Sequence, residues 1–547
     1  MSSSDKSLSL VFGPDQPPLW SKTLGSLIEE QARQYGDKTA VVVPWQSARL
    51  SYRQLADRSK TLAKAMLNMG LRHGDCVGIM AGNCYQYIEV FLGGARIGCP
   101  VVVLNSTYTP EELKAAVVRS SVKLIFIAST IGTRSLSAHI KMLLGDSRPT
   151  NPALPELRRV VCLGDVASTN NNKGIEFESY SEFVQGANSI FMNNPAFLKR
   201  AEKKVKPTDV LNLQFTSGTT GLPKAAMLTH NNLINDGRFV GHAMRLTPDD
   251  VVCCPPPLFH CFGLVMGFLA SFCHGSSIVF PSDHFDARRT LDAVVQEKAT
   301  ALLGVPTMFV AELEILKTTP YKITTLRTGL AAGSPVPAPL MDEIQEKMGV
   351  QGILIAYGMT ETSPVTFITA LDDPWEKKTT TLGRVLPHTA AKVVDRDGKI
   401  VPRGVKGEIC TSGFALQKGY WGDEAKTREV MKTDEQGRLW MHTGDEGFID
   451  EDGYGHITGR IKDLIIRGKH TTNQYIMDRP NLTDSQVAKT SPPPRSRSAS
   501  LRTPPSARPA SSASRTTSTA RSSARSSSCP AARTRPANSP TTRCAPG

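Results

Sequence analysis

The sequence lacks the features that mark secreted, disulfide-bonded and membrane-spanning proteins. Residues 1–12 contain no basic segment followed by a long apolar stretch, so no secretory signal is predicted. The most apolar run, around residues 261–273, is shorter than the roughly 20 residues that cross a bilayer. The eleven cysteines include no C-x-x-C pair, which argues against a disulfide framework and a zinc site. We therefore expect a protein of a reducing compartment with no membrane span.

Negative charge is missing from the last part of the chain. Residues 491–547 contain ten Arg and no Asp, Glu or Lys. The whole chain has a formal charge of +14, so ten of these charges lie in the last segment and only four in residues 1–490. A basic chain often binds nucleic acid or an anionic membrane. Because the excess is confined to one segment, we expect no nucleic-acid partner for the body of the protein.

What the sequence does contain, from about Thr39 to Phe280, is an alternation of short apolar runs with helical stretches. Continuous apolar runs predict strands buried on both faces, and therefore mostly parallel sheets covered by helices. The helices between them include residues 52–69 and 110–120. After Thr381, short runs joined by Asp-Gly turns predict a smaller β-rich subdomain over about 381–460. The predicted strands include residues 76–80, 100–104, 123–127, 159–163, 277–280 and, later, 391–394 and 407–410.

The strongest local signal is the segment 216–224, which follows a predicted strand over 210–215. It combines two glycines, four hydroxyl side chains and one cation, Lys224. Backbone N–H groups, hydroxyl donors and a cation are what a polyphosphate needs. The spacing does not fit the nucleotide P-loop G-x-x-x-x-G-K-[ST]. The alternative interpretation is a surface loop rich in Gly and Thr.

Two further clusters follow. Residues 356–361 place an aromatic ring (Tyr357), a hydroxyl (Thr360) and a carboxylate (Glu361) after a strand over 352–356, where α/β sheets bind ligands. Such groups can stack a base, contact a phosphate and bind Mg²⁺. Asp445 and Arg460 flank a Gly-rich hairpin and could share the hydroxyls of a ribose. Ordinary loop residues and a salt-bridged turn are the alternatives.

In this order, the segments resemble the adenylate-forming (AMP-binding) superfamily of acyl-CoA synthetases, acyl-adenylating enzymes and luciferases. The likeness runs from about Leu24 to Gly468 and is greatest to medium-chain acyl-CoA synthetases. It implies an α/β body over 1–460, a hinge over 461–468 and, beyond it, a small C-terminal α/β lobe. The segments that carry it are 216–224, 256–263, 304–309, 332–335, 357–365 and 383–388.

The resemblance also implies a role for each matching residue. Glu361 would bind Mg²⁺, Thr360 would contact the α-phosphate, and Asp445 with Arg460 would bind the ribose. His260 would lie near an acyl pocket formed by residues 262–272 and 305–309, or simply be a hydrogen-bonded histidine. The catalytic candidates are thus Lys224, His260, Thr360 and Glu361. The β- and γ-phosphates would be bound by Thr216, Ser217, Gly218, Thr219, Thr220, Gly221 and Lys224. Gly333, Ser334 and Tyr357 would flank the adenine. Ala356, Gly358 and Met359 are further candidates for binding the nucleotide.

The implied activity is a two-step ligation with ATP, Mg²⁺ and coenzyme A. A medium-chain or related hydrophobic carboxylic acid would attack the α-phosphate to give acyl-AMP and pyrophosphate, and a thiol would then displace AMP. One alternative acceptor is the phosphopantetheine thiol of a carrier protein, as in natural-product biosynthesis. A second alternative is a nucleotide-binding form without full activity. The expected location is the cytoplasm, with the peroxisome as another option although the C-terminus carries no Ser-Lys-Leu-type address.

The family pattern breaks after Gly468. The family expects Gly-Glu-Asn-Ile and then a lobe with a catalytic lysine, whereas this chain has Lys469 followed by His-Thr-Thr. Residues 469–547 form an atypical tail of low complexity, for which we expect disorder. Codon degeneracy allows another reading frame to encode family-like segments there, with an intron retained over about 468–486. A genuine Arg/Ser-rich arm is the rival hypothesis.

Overall fold

The structure contains two mostly parallel sheets and one antiparallel sheet. The computed structural model describes residues 7–145, 151–164, 176–188, 194–216 and 223–461. The predicted tail, 469–547, and the hinge from residue 462 onward lie outside the described residues.

The strands are mostly short, and they occur throughout the described residues. In chain order they are β1 (Leu10–Phe12), β2 (Thr39–Val43), β3 (Ala48–Ser51), β4 (Cys76–Met80), β5 (Val101–Val103), β6 (Val122–Ile127), β7 (Thr130–Ile131), β8 (Arg134–Ser135), β9 (Arg159–Cys162), β10 (Glu176–Ser179), β11 (Val210–Thr216), β12 (Lys224–Thr229), β13 (Val251–Cys253), β14 (Ser277–Val279), β15 (Ala301–Gly304), β16 (Thr328–Ala332), β17 (Gly352–Gly358), β18 (Val365–Ile368), β19 (Arg384–Val385), β20 (Thr389–Val394), β21 (Gly407–Gly413), β22 (Met431–Thr433), β23 (Leu439–Ile449) and β24 (Gly455–Arg460).

The helices alternate with the strands through the first two thirds of the chain. They are α1 (Leu24–Tyr35), α2 (Tyr52–Asn68), α3 (Tyr85–Arg96), α4 (Pro110–Arg119), α5 (Ser137–Leu144), α6 (Tyr180–Gln185), α7 (Pro195–Glu202), α8 (His230–Ala243), α9 (Ala270–Cys273), α10 (Ala287–Gln296), α11 (Pro306–Thr318), α12 (Ala338–Met348), α13 (Trp375–Thr380) and α14 (Glu424–Val430), with a π-helix over Phe262–Leu269 and a 3₁₀ turn over Thr360–Thr362.

The sheet topology confirms the predicted fold class. A seven-stranded sheet has the order β10-β9-β6-β4-β5-β11-β12 and is parallel except at β11–β12. A nine-stranded sheet has the order β19-β18-β17-β16-β15-β13-β14-β2-β3 and is parallel from β17 to β2. The largest apolar cluster joins the two sheets, since it contains Val77 and Val103 of the first and Val41 and Leu330 of the second. This shared core fixes the two sheets against each other.

Local sequence signals explain why the predicted helices begin where they do. Ser51 caps α2 and Thr109 caps α4, each in a reciprocal capping box with the side chain three residues later. Such a box satisfies two backbone N–H groups that the first turn leaves without partners. The predicted helices 52–69 and 110–120 are therefore confirmed to within one residue. Each predicted strand run also overlaps an observed strand.

The antiparallel sheet, β1-β20-β21-β23-β22 with β24 beside β23, contains a strand that the sequence analysis missed. Strand β1 pairs antiparallel with β20, and Leu10 lies opposite Lys392. The Arg403 guanidinium donates to the Leu8 carbonyl at 2.8 Å and fixes the same N-terminal segment. The sheet thus extends beyond the predicted range of 381–460. A three-residue strand has too few residues to show a period, which is why the sequence did not reveal it.

A buried histidine joins α1 to α8 and makes the stability of the fold pH-dependent. His230 is fully buried, and its Nδ1 accepts the backbone N–H of Leu24 at 3.0 Å. Burial lowers the pKa of His230 to about 4, against the opposing attraction of Asp209; the neighbouring His73 lowers it further. The unfolded chain binds this proton near pH 6.5, so it holds more protons than the folded chain between about pH 4 and 6.5. The stabilising contribution of the neutral His230 is therefore fully present above about pH 6.5, and it is lost as the pH falls towards 4.

We expect the free energy of unfolding to fall by up to roughly 3 kcal/mol between pH 7 and pH 4 through this one group. The difference between wild type and His230→Gln in urea unfolding at several pH values isolates its contribution. His284→Gln is the matched control, because His284 is an exposed histidine. A His230→Gln chain whose stability keeps the wild-type slope in this window would contradict the assignment.

Candidate functional site

The candidate site lies where strands of both main sheets end. Thr216 is the last residue of β11, Ala332 is the last residue of β16, and Gly358 is the last residue of β17. Strands β16 and β17 are parallel and place Ala332 opposite Ala356, so Gly333 and Ser334 follow beside Tyr357. The carboxyl ends of parallel strands are where α/β sheets bind ligands. The predicted base-binding residues of the two strands are thus brought together.

Glu361 lies at the junction between the two sheets. It is in the 3₁₀ turn after β17 and its exposed fraction is only 5%. Its Oε1 accepts the hydroxyl of Tyr420 at 2.7 Å and lies 3.4 Å from the Thr216 hydroxyl, which donates to it. Within the described ranges, both of these hydrogen bonds fall on Oε1. A carboxylate with one oxygen already held in place is suited to offer the other to a cation.

The two ends of the predicted phosphate-binding segment are adjacent. Thr216 and Lys224 lie opposite each other in the antiparallel β11–β12 pair. The Lys224 ammonium is 4.9 Å from the ring centroid of Tyr420, the residue that also donates to Glu361. The cation and the carboxylate predicted from separate motifs therefore face the same tyrosine. The intervening predicted residues, Ser217, Gly218, Thr219, Thr220 and Gly221, lie outside the described residues.

A second network joins Tyr357, Asp445 and Arg460. The Tyr357 hydroxyl donates to Asp445 Oδ2 at 2.7 Å, and Arg460 Nε lies 3.2 Å from Asp445 Oδ1. The side chain of Asp445 is 7% exposed and that of Arg460 is 59% exposed. Burial, together with the charge of Asp445, raises the pKa of Tyr357 well above its ordinary value, so the phenol stays protonated and donates. The aromatic ring and the acid–guanidinium pair, predicted as separate features, form one unit.

Backbone geometry explains why Gly333 and Gly358, two of the predicted nucleotide-binding residues, are glycines. Gly333 has φ +92°, a conformation that favours glycine, and it is exposed after β16. At Gly358 a Cβ would overlap the carbonyl oxygen of Pro364. Met359 and Thr360 continue this close turn into Glu361 and are half-buried. Glycine at 333 therefore permits the positive φ, and glycine at 358 lets the end of β17 approach the Pro364 backbone closely.

His260 precedes a feature that periodicity could not predict. Its ring is exposed, and Nδ1 accepts the backbone N–H of Phe262 at 3.1 Å. The π-helix Phe262–Leu269 that follows is entirely buried. Such helices are rare and often occur at functional sites. A cavity of about 180 Å³ lies beside this segment and is lined by Phe259 and by Met308 of the predicted acyl segment.

In the described part of the chain, Glu408, Cys410 and His442 lie close enough together to be considered as a metal site. Their ligand atoms lie within 4.8 Å of one another. His442 Nδ1 already contacts Glu408 Oε2 at 2.7 Å, and Glu408 Oε1 accepts the Gly444 N–H at 3.0 Å. These bonds hold the turn that precedes Asp445. The cluster therefore supports the ribose-side network and is not assigned a metal.

Tyr420 is the site residue that the sequence analysis missed. It lies 59 residues after Glu361, in a segment that pairs with β12 through the Met227 N–H to Gly419 oxygen bond of 2.9 Å and the Trp421 N–H to Ala225 oxygen bond of 2.8 Å. The sequence around it, Lys-Gly-Tyr-Trp, has no spacing that relates it to either motif. Only the fold brings Tyr420 between Lys224 and Glu361.

A family model for the AMP-binding enzyme matches residues 28–421, most of the chain. The chain belongs to the AMP-binding enzyme family. It is 47% identical over 461 residues to "Acyl-CoA ligase sidI" of Beauveria bassiana, covering 84% of this chain and 77% of that protein. It is 34% identical over 455 residues to "Medium-chain acyl-CoA ligase ACSF2, mitochondrial" of Bos taurus, covering 82% and 73%. The predicted family and enzyme class, an AMP-forming acid–thiol ligase, are confirmed.

Solved structures agree on the fold of this AMP-binding enzyme. A long-chain-fatty-acid-CoA ligase (FadD1) from Archaeoglobus fulgidus superposes with a TM-score of 0.70 at 24% identity, over 83% of this chain and 87% of that one. Apo MatB from Rhodopseudomonas palustris gives 0.65 at 26% identity, over 83% and 82%. Enzymes of this family use ATP, and the relatives' names add coenzyme A, so both predicted co-substrates fit. No helix in the described ranges is long and apolar enough to span a bilayer.

Proposed function

We propose that this protein activates a medium-chain or related hydrophobic carboxylic acid with ATP. The acid's carboxylate attacks the α-phosphate, giving acyl-AMP and pyrophosphate, and the thiol of coenzyme A then displaces AMP to give acyl-CoA. The observation that carries the proposal is the convergence of Lys224 and Glu361 on Tyr420 beside the Tyr357–Asp445–Arg460 network. One group of charges suits a metal-bound polyphosphate, and the other suits a nucleoside.

Attack on a phosphate is limited by the negative charge of its oxygens, so the site must neutralise charge and needs no protein nucleophile. Lys224 and the segment 216–224 bind the β- and γ-phosphates in this proposal, and Thr360 contacts the α-phosphate. Glu361 would hold Mg²⁺, which supplies Lewis-acid stabilisation of the phosphate oxygens when bound. Its buried carboxylate with one anchored oxygen fits that role.

The nucleoside half of ATP has a matching set of groups. Gly333, Ser334 and Tyr357 flank the base, while Ala356, Gly358 and Met359 supply the backbone around it. Asp445 accepts the ribose hydroxyls, and Arg460 keeps its carboxylate oriented. His260 and the cavity at Phe259 and Met308 lie on the acyl side. The cavity is also lined by the polar Asn83, Asp283 and His284, so the preference for an aliphatic chain rests on the apolar segments 262–272 and 305–309.

The acceptor thiol has two candidates. Coenzyme A is favoured by the names of the two relatives described above, both of which are acyl-CoA ligases. The phosphopantetheine of a carrier protein is the alternative, as in natural-product pathways. AMP release that requires coenzyme A supports the first, and AMP release that requires a carrier domain supports the second.

The experiment that tests the activity is ATP–pyrophosphate exchange by the full chain with a panel of straight-chain fatty acids. We expect exchange that depends on the acid and on Mg²⁺. The matching fatty alcohols, which lack the attacking carboxylate, are the control and should give none. ATP binding without any exchange would instead favour the nucleotide-binding form that lacks full activity. Sequencing the spliced transcript across codons 460–547 then tests whether another frame encodes a C-terminal lobe like that of the family.

The location of the protein is a separate proposal. We propose the cytoplasm, with the peroxisome as the alternative; the name of the Bos taurus relative includes "mitochondrial". Fluorescence microscopy of a tagged full chain, compared with mitochondrial and peroxisomal markers, distinguishes the three. A diffuse signal that excludes both organelles is expected.

A further inference from the structure

We propose that Tyr420 is a positioning residue that orients the Glu361 carboxylate for Mg²⁺ with its hydroxyl and holds the Lys224 ammonium at the site with its ring. This inference rests on the proposed function, because it concerns the same nucleotide site. Tyr420 is 2% exposed and lies between the two oppositely charged groups. Its hydroxyl serves the anion and its ring serves the cation, so one side chain acts on both.

The hydroxyl fixes one oxygen of the carboxylate. It donates to Glu361 Oε1 at 2.7 Å, much closer than the 3.4 Å of the Thr216 hydroxyl. A hydrogen bond to an ionised acceptor is stronger than a neutral one and sets the rotation of the carboxylate plane. Groups that orient a metal-binding side chain in this way usually contribute strongly to metal affinity.

The ring faces the cation. The Lys224 ammonium is 4.9 Å from the ring centroid, within the range of a cation–π contact. The ring thus contacts the cation while the hydroxyl of the same residue fixes the carboxylate.

Backbone contacts keep Tyr420 in this place. The Tyr420 N–H donates to the Thr427 hydroxyl at 2.9 Å, and the Gln417 N–H donates to the Glu361 carbonyl at 2.8 Å. The segment on either side pairs with β12, the strand that begins at Lys224. Tyr420 is therefore tied through the main chain to both of the residues that it positions.

The test is the binding of ATP to the full chain by calorimetry while the Mg²⁺ concentration is varied. Tyr420→Phe keeps the ring and removes the hydroxyl, so we expect the half-saturating Mg²⁺ concentration to rise about tenfold. ATP binding in metal-free buffer should stay unchanged. Tyr420→Leu also removes the ring, and ATP binding without metal should then weaken by about threefold or more, because the Lys224 ammonium loses the cation–π contact that places it.

Tyr454 provides a matched control. Its hydroxyl donates to Asp373 Oδ1 at 2.7 Å and its ring faces the Lys377 ammonium at 4.6 Å, the same arrangement away from the site. Tyr454→Phe should bind ATP with the wild-type dependence on Mg²⁺. Binding by Tyr420→Phe that excess Mg²⁺ restores supports positioning, since a merely structural defect would not be restored.

Two results would overturn the inference. One is a Tyr420→Phe chain with the wild-type dependence on Mg²⁺, which leaves the proposed function intact. The other is a Tyr420→Phe chain whose ATP binding no Mg²⁺ concentration restores. A wild-type chain that binds no ATP with or without Mg²⁺ would refute the proposed function itself, and the role of Tyr420 with it.

Discussion

Glu361→Gln is expected to lower the rate of acyl-AMP formation by about a hundredfold or more. The amide has nearly the same volume, and its oxygen can still accept the Tyr420 hydroxyl, so the packing around this buried side chain is retained. What is lost is the negative charge that would bind Mg²⁺ beside the phosphates. The measurement is pyrophosphate exchange at saturating ATP and fatty acid over a range of Mg²⁺ concentrations.

The control for this substitution is Glu435→Gln, which removes the same charge from an exposed turn after β22. That variant should keep the wild-type rate at every Mg²⁺ concentration. Glu361→Gln should show its deficit most strongly at low Mg²⁺, since excess metal partly offsets a weakened ligand. A Glu361→Gln chain with the wild-type rate throughout would mean that the metal is bound elsewhere.

Asp445→Ala is expected to raise KM for ATP between about 10-fold and 100-fold. The substitution removes the acceptor of Tyr357 and the partner of Arg460 at once. It therefore removes the proposed charge-assisted bonds to the ribose. It also takes an acceptor from the half-buried Tyr357 hydroxyl and from the exposed Arg460 guanidinium. Steady-state kinetics with ATP and fatty acid varied separately measure the effect.

The split between the two substrates gives this prediction its specificity. KM for the fatty acid should stay within about twofold of wild type, since the acyl side of the site does not involve Asp445. Asp452→Ala is the control, because Asp452 is an exposed carboxylate that also pairs with a cation, Lys377. Equal increases in both KM values after Asp445→Ala would indicate a general collapse of the site instead of lost ribose contacts.

Much of the fold could be predicted because its signals are local. The strand over 76–80 appears with the predicted bounds, since an apolar run that is buried on both faces needs no partner to be recognised. Helices α2 and α4 begin where capping residues precede them. Strand β1 and the π-helix at Phe262 were not predicted. The first is too short to show a period, and the second departs from the 3.6-residue repeat on which helix recognition depends.

The candidate site divides in the same way. Lys224, Glu361 and Asp445 stand in segments whose residue types indicate their chemistry, so each was a candidate before any contact was known. That Tyr357 donates to Asp445, or that Glu408 holds the turn before it, depends on strands separated by tens of residues. Nothing in the local spacing specifies such pairs.

The sequence by itself determined which groups are available to a nucleotide: the hydroxyl-rich segment ending at Lys224, the carboxylate of Glu361 and the pair Asp445 and Arg460. It also located the charge excess in residues 491–547, outside the segments that carry those groups. Only the tertiary structure decided how the Lys224 ammonium and the Glu361 carboxylate are held in one site. Tyr420 reaches both Lys224 and Glu361 because the segment that carries it pairs with β12. Hydrogen bonds and cation–π contacts act over a few ångströms, so their partners are fixed by folding and not by order along the chain.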